Sequence, residues 1–575
     1  MGLGVSMTSE KSMVRWLLTS PVEAVVSRLV APLDQLLKPI DRLLEAGENR
    51  IAPFWRPITA VWMAVTAAML ALRFVALRAD FPLDKIGSRF VRDGYLYTDE
   101  GWYTAGALRW FRTGDWYMEG DLNIAVVMPV LDILHALMFA VLGVCIETAR
   151  LTTVLTFLAM CAFTFLLVWR FEKPWVGLIA VWVMATNFFF FTHSRLAIGE
   201  NPAMMFVMAA ALLSTYAHGQ RTGWLSPIVG VVFLLGVLTK APCIVFAPVI
   251  AMGMVFRNWP GGWRITPRMI AAPGLFSVIV LGGYIGWNGF MKATFPVDVD
   301  YFLAINSGHR TELNVYRWYE HANWFLNNLH RIDRVFFQYL WYAVPLLFLL
   351  NPRFRSSPLA IASAAAIVIY FITFSIYGNR QYRYFASLSP PLGILVAMGV
   401  RSLWEYRRHG ALLRMAFLAS VVMLMVSAGR NGSSLARMFL NLEYTFSNEA
   451  ARVAALYDEL HIPNRVLLGH ISCTFALYED FIPVNDLYET GPLEERLARW
   501  QPHMMVAEYP VEPTGQQIIL EKVDADPRDS VERLRILKEY GRIEHLGPMD
   551  ILKNVDDRDL QLYRLYPNSD DSDNP

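Results

Sequence analysis

The sequence is punctuated by apolar runs of the length that carries a helix across a bilayer, whose hydrocarbon core of about 30 Å takes about twenty residues. Such runs fall at 57–78, 150–169, 175–193, 202–218, 224–240, 241–256, 269–287, 335–350, 358–377, 383–400 and 411–428. Lipid offers backbone N–H and C=O groups no partners, so runs of this kind fold as helices. The expected fold is therefore a polytopic α-helical membrane protein of about eleven spans. The composition, 55% hydrophobic and 18% charged with a mean hydropathy of +0.34, agrees. A net charge of +1 leaves no excess of cations to neutralise a phosphate backbone, which argues against a nucleic-acid partner.

The segment 122–144 is long enough to cross but contains Asp132 and His135. A central Asp costs roughly 2.5 to 3.5 kcal/mol on insertion, and the distribution of charge decides the matter better than that penalty does. If the segment stays out of the bilayer core, the loops holding Arg170 and Lys173, Arg221, Arg257 with Arg264, Arg353 with Arg355, and Arg407 with Arg408 share one side with the basic N-terminus. Every short loop then obeys the positive-inside bias. Residues 102–144 are accordingly expected to form interfacial helices on the outer side of a membrane domain, 57–428.

Before that domain, residues 1–56 carry scattered Lys and Arg with apolar positions at helical spacing between Val22 and Leu44, as in a cytoplasmic amphipathic arm. After it, helical patterns at 448–460, 494–500 and 530–540 alternate with strand-like runs at 465–470, 504–508 and 560–566. They predict an extracytoplasmic α/β domain over 429–567, followed by an acidic disordered tail, 568–575. The four cysteines, Cys145, Cys161, Cys243 and Cys473, have neither metal nor disulfide spacing and read as small core residues.

This topology gathers ionisable residues at the outer ends of spans. Asp99 and Glu100 follow the first span, at the head of an amphipathic helical segment in which Tyr103, Ala107, Trp110 and Phe111 share a face and Arg109, Arg112 and Asp115 fall elsewhere. Arg195, Glu200 and Asn201 stand in Ser-Arg-Leu-Ala-Ile-Gly-Glu-Asn-Pro, Lys240 in Leu-Thr-Lys-Ala-Pro, and Arg380, Tyr382, Arg383 and Tyr384 in Gly-Asn-Arg-Gln-Tyr-Arg-Tyr. A carboxylate can take the proton of an incoming hydroxyl, and fixed cations stabilise charge growing on a departing phosphate. Asp99 suits the first task, with Glu100 beside it, and Lys240, Arg380, Arg383 and Arg195 suit the second. Glu200 is placed to orient Asp99, to bind the acceptor or to help hold a cation. Tyr103, Tyr382, Tyr384 and Asn201 would line the substrate.

Structural readings stand beside these. An Asp-Glu pair also opens helices because the macrodipole favours it, and Lys240 and the Arg380 to Arg383 turn also suit anchors that reach for headgroups. Yet cationic anchors on the outer side run against the positive-inside bias. No His-rich or carboxylate-His spacing marks a zinc cage, and a divalent metal is left open.

In order along 57–400, the motifs Asp99-Glu100-Gly-Trp-Tyr, Gly114-Asp115-Trp116, Ser194-Arg195-Leu-Ala-Ile-Gly-Glu200, Leu238-Thr239-Lys240-Ala-Pro242 and Arg383-Tyr384 with Pro390-Pro391 resemble the GT-C glycosyltransferases of family 39 and their relatives. Those include protein O-mannosyltransferases and aminoarabinose transferases acting on lipid A. The resemblance implies a polyprenyl-phosphate sugar as donor, an acceptor glycan, lipid or protein, an inverting displacement, and Asp99 as the acceptor-side base. It also implies early interfacial helices in the first outer loop and a site on the extracytoplasmic face of a bacterial inner membrane. Two departures are evident: Glu200 stands where relatives usually have Asp, and the acid-Lys-Pro-Pro-Leu stretch is replaced by Met118-Glu119-Gly120-Asp121, with only Met128-Pro129-Val-Leu echoing it. A transporter or flippase of a lipid-linked or anionic solute is the alternative, but it would place ionisable or helix-breaking residues near mid-span.

Overall fold

A computed structural model describes residues 55–80, 96–121, 123–258, 266–311, 357–376, 382–406, 411–486, 490–507, 535–551 and 560–568. The N-terminal arm, the run at 335–350, Arg380, the Tyr382 side chain and most of the acidic tail lie outside the described residues. Helices dominate the first part of the chain: α1 Trp55–Ala71, α2 Leu96–Thr113, α3 Pro129–Leu142, α4 Ile146–Phe171, α5 Pro174–Thr186, α6 Phe188–His193, α7 Glu200–Ser214, α8 Thr222–Thr239, α9 Ala247–Arg257 and α10 Pro267–Thr294. These are followed by α11 Pro296–Thr311, α12 Pro358–Ile376, α13 Ser389–Tyr406 and α14 Ala411–Leu440.

Local sequence accounts for several boundaries. Prolines open α3, α5 and α10, where the missing N–H costs nothing because the first turn leaves its donors unpaired. The apolar run 175–193 is divided at Asn187, whose extended backbone ends α5 and whose side chain accepts from the Phe190 N–H at 3.1 Å to start α6. Among the described residues, five helical stretches are long and apolar enough to cross a bilayer, and others, α3 and α7 among them, are apolar but shorter.

Packing in the bundle runs from α10 to α8, α8 to α7, α7 to α4, α4 to α5 and α5 to α13. Its core includes Phe157, Met184, Met204, Phe233, Phe276, Tyr370 and Leu395. At 14 residues, α3 is about 21 Å long, short of the hydrocarbon core. It buries Leu131, Asp132, His135 and Phe139 and exposes Ile133, Leu137 and Val141. The Asp132 carboxylate accepts the Ala107 N–H at 3.0 Å, which fixes α3 to α2.

Residues 445–568 hold α15 Thr445–Glu459, β1 Val466–Leu468, α16 Ser472–Phe475, β2 Ile482–Val484, α17 Leu493–Trp500, β3 Met504–Ala507, β4 Gly541–Pro548 and β5 Gln561–Pro567. The strands form one sheet in the order β2-β1-β3-β5-β4. Val466 pairs with Ile482 and Leu467 with Met504 in parallel, whereas Met504 faces Arg564 and Arg542 faces Tyr566 in antiparallel ladders. The sheet does not stand apart from the helices. Tyr103, Leu108 and Leu131 share one core with Val453, Leu467, Phe475, Val506 and Leu562.

α2 differs from its expected amphipathic layout. Tyr103 and Ala107 are buried, but Trp110 and Phe111 are exposed, while Arg109 is fully buried. Arg109 pairs with Asp121 at 2.8 Å and donates to Asn123 Oδ1 at 3.0 Å. A periodicity argument sends a lone Arg to solvent; here a carboxylate and an amide twelve and fourteen residues on reverse that preference by supplying its charge and hydrogen bonds.

Candidate active site

Four segments converge on one buried charge cluster. The first turn of α2 brings Asp99, the start of α7 brings Glu200, the residue ending α8 is Lys240, and the 3-10 turn Tyr382–Leu388 ahead of α13 brings Arg383. Asp99 is 4% exposed, Lys240 3%, Arg383 6% and Glu200 fully enclosed. Charges at such depth persist only when paired.

The pairing is alternating. Arg383 forms an ion pair with Asp99, and its Nε stands 3.9 Å from Glu200 Oε1. Glu200 Oε1 also accepts from the Lys240 ammonium, which donates to the Tyr103 hydroxyl at 3.1 Å. Two tyrosine rings wall the cations. The Lys240 Nζ lies 4.7 Å from the Tyr103 ring centroid and 5.0 Å from that of Tyr384, and the Arg383 guanidinium carbon lies 5.4 Å from Tyr384. Such contacts hold cations over ring faces without neutralising them. Behind Tyr384, the Tyr370 hydroxyl donates to its backbone carbonyl.

The backbone leading into Glu200 lies beside the end of α8. A Cβ on Gly199 would meet Thr239 O and Lys240 Cδ, both at 3.4 Å, so the chain entering α7 passes the end of α8 at contact distance. Asn201 points elsewhere and donates to the His193 carbonyl at 3.2 Å, bracing the turn from α6 into α7.

Asp99, Glu200, Lys240, Arg383, Tyr103 and Tyr384 are thus brought together. Glu100 and Arg195 are not. Adjacent helical residues point about 100° apart, so Glu100 turns away from Asp99 and takes Arg150 in a two-pronged pair at 2.8 and 2.6 Å, accepting also from the Ala197 N–H at 2.9 Å. Arg195 donates to the carbonyls of Val75 and Ala76 at 2.6 and 2.7 Å. It borders a small cavity with Arg150, Asp80 and Thr192, rather than the Lys240 cluster. Both residues have their charge or donors consumed by holding loops together. Arg150, which anchors Glu100, drew no attention in the sequence because it opens an apolar run.

α16 lies against the head of α2. The Trp102 indole N–H donates to the His470 carbonyl at 3.0 Å, and a Cβ on Gly101 would stand 2.3 Å from Thr474 N. No group of three or more His, Cys, Asp or Glu placed to hold a metal ion occurs among the described residues.

Residues 127–287, which include Glu200 and Lys240, match the family described as dolichyl-phosphate-mannose-protein mannosyltransferase. No curated protein matches the chain in sequence. Among solved structures, ArnT from Cupriavidus metallidurans bound to undecaprenyl phosphate is similar at 14% identity, with 88% of this chain and 98% of that chain covered and a TM-score of 0.52. Its apo state is similar over the same shares, also at 14% identity, with a TM-score of 0.50. The Archaeoglobus fulgidus oligosaccharyltransferase in complex with Zn and sulfate is similar at 13% identity over 77% of this chain and 68% of that chain, with a TM-score of 0.44. At these identities the ArnT likeness speaks for the fold alone. In sequence over residues 127–287 and in fold over most of its length, the chain resembles the GT-C glycosyltransferases.

Proposed function

We propose that the protein is an integral-membrane inverting glycosyltransferase that moves a sugar from a polyprenyl-phosphate donor to an acceptor hydroxyl. The observation that carries this reading is the convergence of a base and two phosphate-binding cations, Asp99 with Lys240 and Arg383, in one buried cluster walled by tyrosines. Asp99 takes the proton of the acceptor hydroxyl as its oxygen attacks the anomeric carbon. The bond from that carbon to the phosphate oxygen breaks, and its electron pair leaves with the polyprenyl phosphate. The leaving phosphate gains a negative charge as it departs, and Lys240 and Arg383 stabilise it. Glu200 holds Lys240 in place. From the same stretch of sequence as Arg383, Arg380 joins the donor phosphate side and Tyr382 lines the substrate in this reading.

The cluster lies on the outer face of a bacterial inner membrane, with α2 and α3 in the outer interface and the sheet of residues 445–568 outside. Support comes from the basic loops on the opposite side, from the shortness of α3 and from its exposed apolar face. The donor's lipid tail stays in the bilayer while its phosphate reaches the cluster.

The test is transfer by the purified protein from a labelled polyprenyl-phosphate sugar, read as release of polyprenyl phosphate. Asp99→Asn is expected to slow transfer by about 10² to 10⁴ while the protein still binds the lipid phosphate. Near-normal turnover in that variant rejects Asp99 as the base, and movement of the lipid across vesicles without release of phosphate identifies a transporter instead.

A further inference from the structure

In the structure, the groups that the proposed reaction needs are occupied by one another. Arg383, which would hold the phosphate, lies on Asp99, which would take the proton. Lys240, the second phosphate cation, is paired with Glu200. A carboxylate neutralised by a guanidinium is a weak proton acceptor, and a guanidinium engaged by a carboxylate has fewer free N–H groups for a phosphate.

Two further features bear on how firmly the cluster is closed. Glu200 serves both cations with the same oxygen, Oε1, while its Oε2 is buried and accepts no hydrogen bond. A buried carboxylate oxygen left unsatisfied is costly, so this arrangement leaves a rearrangement something to recover. The segments that supply the cations differ from those that supply the acids. Lys240 ends α8 and Arg383 precedes α13, whereas Asp99 and Glu200 sit in the first turns of α2 and α7. The acids and the cations are thus carried on separate segments.

Resting on the functional reading above, we propose that these ion pairs form a lock that the donor's own phosphate opens. Two acids and two cations make the cluster electrically neutral. A donor phosphodiester brings one negative charge and competes for both cations. As it takes Arg383 and Lys240, it releases Asp99 and Glu200. The base becomes competent only when a sugar is in place to receive the attack. The order of binding follows: donor first, then acceptor, because an acceptor hydroxyl arriving before the donor meets a carboxylate engaged by Arg383.

The lock is tested with the full chain in detergent and undecaprenyl phosphate as the probe. Removing the competing acid should free its cation, so Asp99→Asn and Glu200→Gln should each bind the probe more tightly. The gain is about tenfold if the cations are open one-tenth of the time. Arg383→Gln and Lys240→Gln should bind it more weakly. Unchanged or weaker binding in both acid variants, with weaker binding in the cation variants, overturns the lock and leaves the phosphate site standing. Unchanged binding in the cation variants overturns both. A wild-type measurement covers the case in which the acid variants fail to fold. Carbodiimide-driven amidation of Asp99, followed by mass spectrometry, should accelerate when undecaprenyl phosphate is added, and unchanged or slower labelling overturns the lock.

Discussion

Gly101 packs the helix bearing the candidate base against α16, and Gly101→Ala is a sharp probe of that contact. The added Cβ would lie 2.3 Å from Thr474 N and 2.7 Å from both Cys473 C and Thr474 Oγ1, where ordinary contact begins at 3.4 Å. The head of α2 and α16 must therefore separate by about 1 Å. Overpacking of this kind costs about 1 to 3 kcal/mol. Asp99 lies two residues away on the same helical turn, so the displacement passes to its carboxylate. A misplacement of about 1 Å at a reacting group costs on the order of 10²-fold in rate. The assay is transfer from a labelled polyprenyl-phosphate sugar, with thermal unfolding in detergent measured in parallel. Binding of undecaprenyl phosphate should change far less than turnover, because Lys240 and Arg383 are carried by other segments. Adding Thr474→Ala should not rescue the variant, since the nearest obstacle is a backbone nitrogen. Wild-type turnover and stability in Gly101→Ala would refute the idea that α16 fixes the register of the base.

Two other perturbations address the supports of the site. Arg150→Ala strands Glu100, whose carboxylate is fully enclosed, and should lower stability by about 3 to 5 kcal/mol in thermal or denaturant unfolding; an unchanged midpoint would show that the pair is dispensable. Asp298, at the start of α11, is buried, and desolvation pushes its carboxyl above the usual range against the hydrogen bonds from Asn123 and Tyr117. A raised value means that the folded chain keeps this proton to higher pH than the unfolded chain. The associated stability is full at low pH and is lost as pH rises through the folded value. Asp298→Asn, which retains partners for both Asn123 and Tyr117, should be no more stable than wild type below about pH 4 and more stable above the folded value. A constant difference at all pH values would exclude Asp298 as the titrating group.

Much of the cluster was visible in the sequence because membrane chains punish isolated charge. Glu200, Lys240 and Arg383 each stand at the edge of an apolar run and Asp99 heads the helical segment after the first run, on the side that the charge distribution predicts to be the outer one. What sequence left open was orientation. Asp99 and Glu100 are neighbours of like chemistry, and only the helical phase of α2 sends one to Arg383 and the other to Arg150. Arg195 looked equivalent to Lys240 until the carbonyls of Val75 and Ala76 claimed it. In the last part of the chain, the runs read as strands near 466, 504 and 561 are strands. β2 and β4 were missed. β2 is three residues with a proline at its centre, and β4, Gly-Arg-Ile-Glu-His-Leu-Gly-Pro, is too polar and glycine-rich to announce itself by alternation.

The core shared by α2 and the C-terminal sheet bears on how the molecule matures. Leu108 and Leu562 belong to one buried cluster, although the ribosome joins them far apart in time. α2 therefore leaves the ribosome long before β5, which completes its packing, has been made. Until then the helix bearing Asp99 lacks part of its buried packing surface. The helix that carries Asp99 is therefore fully packed only once β5 is in place.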